Sequence, residues 1–136
     1  MVAAGDRSMR EHETFRQADV LVLTTDIMMA EKIVKTAKIH HHAVRNYDQS
    51  ERLIQALREN RPTLIVLDWD TREAEAYGLL KWIVSADDYR GVPVIGFSSR
   101  TGSGIQDEAR RAGCDRVYPK AAFVKNIGEF LVRYGK

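Results

Sequence analysis

The chain has 136 residues, of which 44% are hydrophobic and 29% charged, the composition of one globular domain. Its 21 basic and 19 acidic side chains leave a net charge of +2, which argues against a nucleic-acid partner. A single cysteine excludes an internal disulfide and fits a reducing compartment. No apolar stretch approaches the ~20 residues of a membrane span, and residues 1–16 lack the apolar segment of a secretory signal. We therefore expect a cytoplasmic protein with neither a membrane nor a nucleic acid as its partner.

The predicted elements alternate strand and helix from residue 18 onward. Residues 1–17 are polar and are predicted to form an N-terminal tail, which leaves residues 18–136 as the domain. Asp26 stands where it can cap the first helix. In this half of the chain the apolar patterns predict strands over 20–23, 42–46 and 64–68, and helices over 27–38 and 51–60.

The second half continues the alternation. It predicts strands over 94–97 and 115–118, and helices over 74–85, 105–112 and 121–134, with a Ser/Gly-rich loop over 98–104. Five strand–helix units joined by short connections predict a doubly wound α/β fold with a five-stranded parallel sheet. The expected strand order is 2-1-3-4-5, as in flavodoxin-like proteins, with the switch point between strands 1 and 3.

Three polar residues end apolar runs. Asp68 follows the run Leu64–Leu67, Ser98 follows Val94–Phe97, and Lys120 follows the short fifth strand. Because the carboxyl ends of parallel strands lie at one edge of the sheet, we expect an acid, a hydroxyl and an amine to meet in one crevice. These three residues are the candidate site.

This pattern resembles the receiver domain of two-component response regulators, over about residues 18–134. Pro93-Val94 places Ser98 at the end of the fourth strand, and Gly113 places Lys120 seven residues later, at the spacing of that family. The resemblance implies that Asp68 is the residue that accepts phosphate from a histidine kinase. It also implies that Ser98 and Lys120 contact the phosphoryl oxygens.

The sequence departs from the receiver pattern at the expected metal site. Receiver domains usually carry two adjacent acids after the first strand, where they help hold Mg²⁺, and this chain has Thr24 and Thr25 there. Neutral hydroxyls are poor ligands for a hard dication. We therefore expect weak Mg²⁺ binding, with Asp68, the main-chain carbonyl of Asp70 and Asp26 as the ligands.

The prediction for function follows from the match to the receiver pattern and from the departure at the metal site. We interpret the chain as a stand-alone receiver-like signalling domain, not an enzyme, that acts through contacts with a histidine kinase or a downstream target. Phosphorylation at Asp68 is expected to be weak or absent, and the output surface is expected on the fourth helix, fifth strand and fifth helix. One alternative is a fully active receiver phosphorylated on Asp68. Another is a flavodoxin-like small-molecule binder, which is disfavoured because residues 24–28 contain no glycine for a phosphate-cradling loop.

Other noticeable residues favour structural roles. His40–His42 are predicted to end a helix and start a strand, since adjacent residues on an extended chain point to opposite faces. Cys114 follows a glycine that stops a helix, which favours a small packed thiol. Trp82 is predicted to pack beside its helix, and Trp69, next to the crevice, is a candidate for a partner surface.

Overall fold

The computed structural model describes residues 18–70, 73–100 and 102–134. The tail predicted for residues 1–17, and with it the domain boundary, lies outside these residues. The strands are β1 (Ala18–Leu23), β2 (Ala43–Tyr47), β3 (Leu64–Asp68), β4 (Val94–Ser98) and β5 (Arg116–Pro119). The helices are α1 (Ile27–Ile39), α2 (Ser50–Glu59), α3 (Glu73–Ser85), α4 (Ser103–Ala112), α5 (Lys120–Lys125) and α6 (Ile127–Tyr134), with a 3₁₀ turn at Asp87–Tyr89.

The five strands form one parallel sheet in the order β2-β1-β3-β4-β5, which confirms the predicted fold class and topology. The strands β1 and β3 are neighbours, and Leu23 pairs with Leu67 at their carboxyl ends. The next residues, Thr24 after β1 and Asp68 at the end of β3, therefore lie side by side at the topological switch point.

Two apolar layers cover the two faces of the sheet, because successive strand side chains alternate between faces. In β3, Leu64 and Val66 pack with the layer of α1, α5 and α6. Ile65 and Leu67 pack with the layer of α2, α3 and α4. A strand covered on both sides has to be apolar throughout, which explains the unbroken hydrophobic run before Asp68.

Most predicted bounds agree with the structure to within one or two residues, and the predicted helix cap is confirmed. Asp26 Oδ1 accepts a hydrogen bond from the Met29 amide at 3.1 Å, so this carboxylate caps α1. The last helix differs from its prediction, because it begins at Lys120 and is divided at Asn126 into α5 and α6. The Asn126 side chain donates to the carbonyl of Ala122 at 2.9 Å and so bonds to the backbone where the helix is interrupted.

The prediction that Trp69 belongs to a partner surface is wrong. Its side chain is only 2% exposed and packs in the same layer as Ile65 and Leu67. The alternation of side chains along β3 continues to the residue after the strand, so Trp69 points to the same face as Leu67 and its indole lies inside. Trp82 is half-buried and lies against Tyr89, with ring centroids 5.6 Å apart, as expected for a residue packed beside its helix.

The structure gives the histidines and the cysteine the structural roles predicted for them. The helix α1 ends at Ile39, His40 is its C-terminal cap, and His41 takes a positive φ of 60° before β2 begins. Cys114 is buried, and desolvation raises the pKa of its thiol to about 12, which keeps it protonated and unreactive. None of the helices in the described ranges is long and apolar enough to cross a membrane.

Candidate functional site at the carboxyl edge of the sheet

The three candidate residues lie at the carboxyl ends of neighbouring strands. Asp68 is the last residue of β3, Ser98 is the last residue of β4, and Lys120 directly follows the end of β5. The order β3-β4-β5 is the order of these strands in the sheet. The predicted placement at one sheet edge therefore agrees with the structure.

Asp68 is buried, with 2% of its surface exposed, and both of its carboxylate oxygens are engaged. Thr24 Oγ1 donates to Asp68 Oδ2 at 2.6 Å. The amide of Asp70 donates to Asp68 Oδ1 at 2.8 Å. Hydrogen bonds to the charged form offset the cost of burying a carboxylate. These contacts fix the orientation of Asp68 and turn Oδ2 toward β1.

Lys120 makes its ion pair with Asp26. The distance from Lys120 Nζ to Asp26 Oδ2 is 3.1 Å, and both side chains are about one third exposed. The hydrogen bond that Lys120 donates to Asp26 raises the pKa of Lys120, and the charges of Asp68 and Asp70 act in the same direction. The carboxylate one residue beyond the usual acidic pair thus forms an ion pair with this lysine.

Ser98 contacts Asp70. Ser98 Oγ donates to Asp70 Oδ1 at 2.8 Å, and the amide of Ser99 donates to Asp70 Oδ2 at the same distance. The amide of Arg100 in turn donates to Ser98 Oγ at 3.0 Å. The hydroxyl expected to face a phosphoryl group on Asp68 is engaged with the neighbouring carboxylate.

No protein-family model matches the chain. A stretch of 77 residues is 30% identical to the polar-differentiation response regulator DivK of Brucella anthropi, and it covers 57% of this chain and 63% of that protein. DivK of Brucella ovis is 27% identical over a stretch of the same length. The match thus spans less than two thirds of these relatives.

Solved response regulators superpose over most of the chain. The chemotaxis response regulator CheY4 of Vibrio cholerae matches with a TM-score of 0.77 at 15% identity, covering 87% of this chain and 98% of that one. This chain has the receiver fold. The Mn²⁺-bound response regulator Rcp1 matches with a TM-score of 0.73 at 13% identity, covering 86% of this chain and 94% of that one. The receiver domain of a Pseudomonas aeruginosa sensor histidine kinase, with magnesium in its active-site cleft, matches with a TM-score of 0.72 at 16% identity over 85% and 94% of the two chains.

The carboxylates of this receiver fold do not fit a ready metal site. Within the described ranges there is no group of three or more His, Cys, Asp and Glu side chains placed to hold a metal ion. Asp26 is engaged by Lys120 and by the start of α1, while Asp68 and Asp70 accept the bonds given above. The predicted ligand set of Asp26, Asp68 and the main-chain carbonyl of Asp70 stays a prediction, and the ammonium of Lys120 is paired with one of its members.

Sequence reasoning missed the role of Thr24 as the hydrogen-bond donor to Asp68, since it considered the residue only as a replaced acid. The signal was present in the parallel alignment of β1 and β3, because Thr24 and Asp68 each follow one member of the Leu23–Leu67 pair. It also missed the amide of Ser99 as a partner of the Asp70 side chain. No sequence pattern marks that contact, because it depends on how the loop after β4 turns.

Proposed function

We propose that this chain is a receiver-like signalling domain of the two-component or phosphorelay type, acting in the cytoplasm through protein–protein contacts, with weak or absent phosphorylation at Asp68. The receiver fold and the partial match to DivK support the signalling class. The observation that carries the rest is the bond of 2.6 Å from Thr24 Oγ1 to a carboxylate oxygen of the buried Asp68.

Phosphoryl transfer to a carboxylate needs an accessible oxygen and neutralisation of the charge on the transferred group. In this cleft the Asp68 oxygens are occupied and 2% of the residue is exposed. Part of the charge of Lys120 is already offset by Asp26, whose carboxylate lies 3.1 Å from its ammonium. The two threonines supply no charge with which to recruit a divalent cation. Each of these features opposes phosphorylation and none opposes partner binding.

The partners in this proposal are signalling proteins, either a histidine kinase or a downstream target. Among the relatives and neighbours with this fold are DivK, CheY4 and the receiver domain of NtrX from Brucella abortus, which are response regulators or parts of them. A domain of this kind is a binding module rather than an enzyme.

A fully active receiver is the second candidate, and the alignment of Asp68, Ser98 and Lys120 at adjacent strand ends favours it. Activity would require Thr24 to turn away from Asp68 and Ser98 to leave Asp70. These are two rotamer changes at the ends of strands. The weak Mg²⁺ binding expected from the sequence would accompany either candidate.

The deciding experiment incubates the protein with acetyl phosphate and Mg²⁺ and measures the intact mass. We expect little or no addition of phosphate to the natural protein. The gain-of-function variant Thr24→Asp/Thr25→Asp restores two acids and is expected to bind Mg²⁺ more tightly by calorimetry and to incorporate more phosphate. Robust incorporation of one phosphate by the natural protein, lost in Asp68→Asn, would establish the active receiver instead.

Partner binding gives a second test of the same proposal. Asp68→Asn preserves the shape of the side chain and removes the phosphoacceptor, so we expect cells carrying this variant to keep the phenotype of the natural protein. Lys120→Ala is expected to change stability more than signalling, because it removes the cation facing three carboxylates. If Asp68→Asn lost both signalling and acid-labile phosphate, the partner-binding proposal would be contradicted.

A further inference from the structure

The two edge strands of the sheet differ in how their outer backbone is covered. At β5, the side chain of Gln106 from α4 donates Nε2 to the Val117 carbonyl and accepts the Val117 amide at Oε1, at 3.4 Å for the second bond. A side-chain amide thus takes the place that another strand would occupy. This closes the β5 edge against further strand pairing.

At the opposite edge, β2 has β1 as its strand neighbour and presents its other side outward. The Tyr47 carbonyl accepts the Thr24 amide, so Tyr47 faces β1. Main-chain groups alternate along a strand in parallel pairing, which directs the N–H and C=O of Val44 and Asn46 away from the sheet. Among the residues that the structure describes, no side chain bonds to these outward groups.

A groove of about 640 Å³ runs along this edge, between the last turns of α1 and β2. Val34 and Val44 are half-buried and give it an apolar floor. Asp19 Oδ2 is engaged by His42 Nδ1 at 3.2 Å and by the Ala43 amide at 3.3 Å. In the part of the chain that the structure describes, the lining is basic or apolar: it consists of Val34, Lys38, His41, His42, Ala43, Val44 and Arg45.

We propose that the β2 edge is a docking site for an extended, acidic segment of a partner protein, which adds to the sheet as a sixth strand. Main-chain bonds to Val44 and Asn46 would supply affinity, and alternate apolar side chains would enter the groove. Lys38 selects acidic residues in the segment by charge complementarity. The same cation opposes pairing with a second copy of this chain, because like charges would face each other. This inference goes beyond the proposed function, since it does not use the cleft of Asp68.

The test uses the ¹⁵N-labelled full chain and two acetylated octapeptides, one alternating Glu with Val and the other alternating Lys with Val. The Glu–Val peptide is expected to shift the amide resonances of Val44 and Asn46 and to slow their hydrogen exchange. The Lys–Val peptide is expected to leave both unchanged. Shifts located elsewhere, or equal binding of the two peptides, would overturn the proposal.

Charge reversal in the groove gives a matched pair of variants. Lys38→Glu is expected to weaken binding of the Glu–Val peptide about tenfold, because an attraction becomes a repulsion. Lys32→Glu makes the same charge change on the exposed surface of α1, outside the groove, and is expected to alter binding less than about twofold. Equal effects of the two variants would mean that only long-range charge attracts the peptide, and would contradict a specific binding site in the groove.

Backbone pairing is tested separately with Val44→Pro, which removes an outward amide and leaves the ladder to β1. We expect loss of peptide binding with the rest of the spectrum unchanged. A variant that fails to fold is visible in the same spectrum, and the Lys38→Glu comparison then decides the question. Incorporation of phosphate in the acetyl phosphate experiment does not bear on these results, so the two proposals fail independently.

Discussion

Asp68 retains a buried carboxylate because a hydroxyl and a main-chain amide reach its two oxygens. Thr24 Oγ1 also accepts the amide of Asp26 at 3.0 Å, so a single hydroxyl joins the end of β1 to the end of β3 and to the start of α1. Removing it would leave a buried oxygen and an amide without these partners. The energetic consequence can be measured at one residue.

Thr24→Val is expected to lower the free energy of unfolding by about 1–3 kcal/mol, because it keeps the side-chain volume and removes the donor to Asp68. Urea denaturation followed by circular dichroism measures the change. The control is Thr36→Val on α1, whose hydroxyl donates to the Lys32 carbonyl at the surface, where a change within about 0.5 kcal/mol is expected. Equal effects of the two substitutions would show that the bond to Asp68 contributes nothing.

The ion pair between Asp26 and Lys120 predicts a pH dependence. Hydrogen bonds from the Met29 amide and then from Lys120 lower the pKa of Asp26 below 3.8. The contribution of Asp26 to folding stability is therefore fully present above pH 3.8 and is lost as the pH falls through the lowered pKa. Asp26 raises the pKa of Lys120 above 10.5. The contribution of Lys120 to folding stability is therefore fully present below pH 10.5 and is lost as the pH rises through the raised pKa. The pair therefore stabilises the fold across the neutral range.

Asp26→Asn, which keeps a good helix cap, is expected to lower the unfolding free energy at neutral pH by no more than about 1 kcal/mol, because both side chains are partly exposed. The difference from the natural protein is expected to shrink in strong acid and in strong alkali. A double-mutant cycle with Lys120→Met, measured by denaturation at several pH values, isolates the pair. A coupling that grows in acid would have the wrong sign.

At the scale of elements, the packing of β4 against the end of β3 depends on one small residue. Gly96 lies in β4 directly beside the indole of Trp69, and a Cβ there would come within 2.4 Å of Trp69 Nε1 and 2.9 Å of the Leu67 carbonyl. The indole can turn inward because Gly96 leaves room for it. The same contact explains why Trp69 is core rather than surface.

Gly96→Ala is therefore expected to destabilise the protein by about 1–3 kcal/mol, through overpacking of the indole and the strand. Gly78→Ala is the control, since a Cβ at this exposed position on α3 meets no atom within 4 Å. That change is expected to stabilise the helix by about 0.5–1 kcal/mol. Thermal denaturation of both variants is sufficient, and opposite signs are the expected result.

On the scale of the whole molecule, one sheet separates two apolar layers and is shared by both. Trp69 and Trp82 both report on the layer of α2, α3 and α4. Leu131 lies in the other layer and is 2% exposed. Because every strand between the layers contributes side chains to both, we expect them to unfold together.

Leu131→Ala is expected to cost about 2–5 kcal/mol and to shift the tryptophan fluorescence midpoint as much as the circular dichroism midpoint. Val132→Ala, at a neighbouring position that is 59% exposed, is expected to change stability by less than about 0.5 kcal/mol. A Leu131→Ala variant whose dichroism midpoint falls while its fluorescence midpoint stays would show that the two layers unfold separately.

The sequence by itself determined the fold class, the strand order and the position of the candidate site. Alternating apolar patterns with short connections permit few topologies, and strands covered on both faces have to be apolar throughout. An apolar run that ends in a polar residue marks the carboxyl end of its strand. For this reason Asp68, Ser98 and Lys120 were located at one sheet edge without coordinates.

Only the tertiary structure decided which polar groups pair with each other. Lys120 bonds to Asp26 across 94 positions of the chain, and Thr24 bonds to Asp68 across 44. Partners so distant in sequence are set by strand register, by the face on which each side chain emerges and by the rotamers that packing allows. The burial of Trp69 depends in the same way on the space above Gly96. Periodicity fixes where a residue lies along its own strand, whereas its neighbours across the sheet are fixed only when the strands have packed.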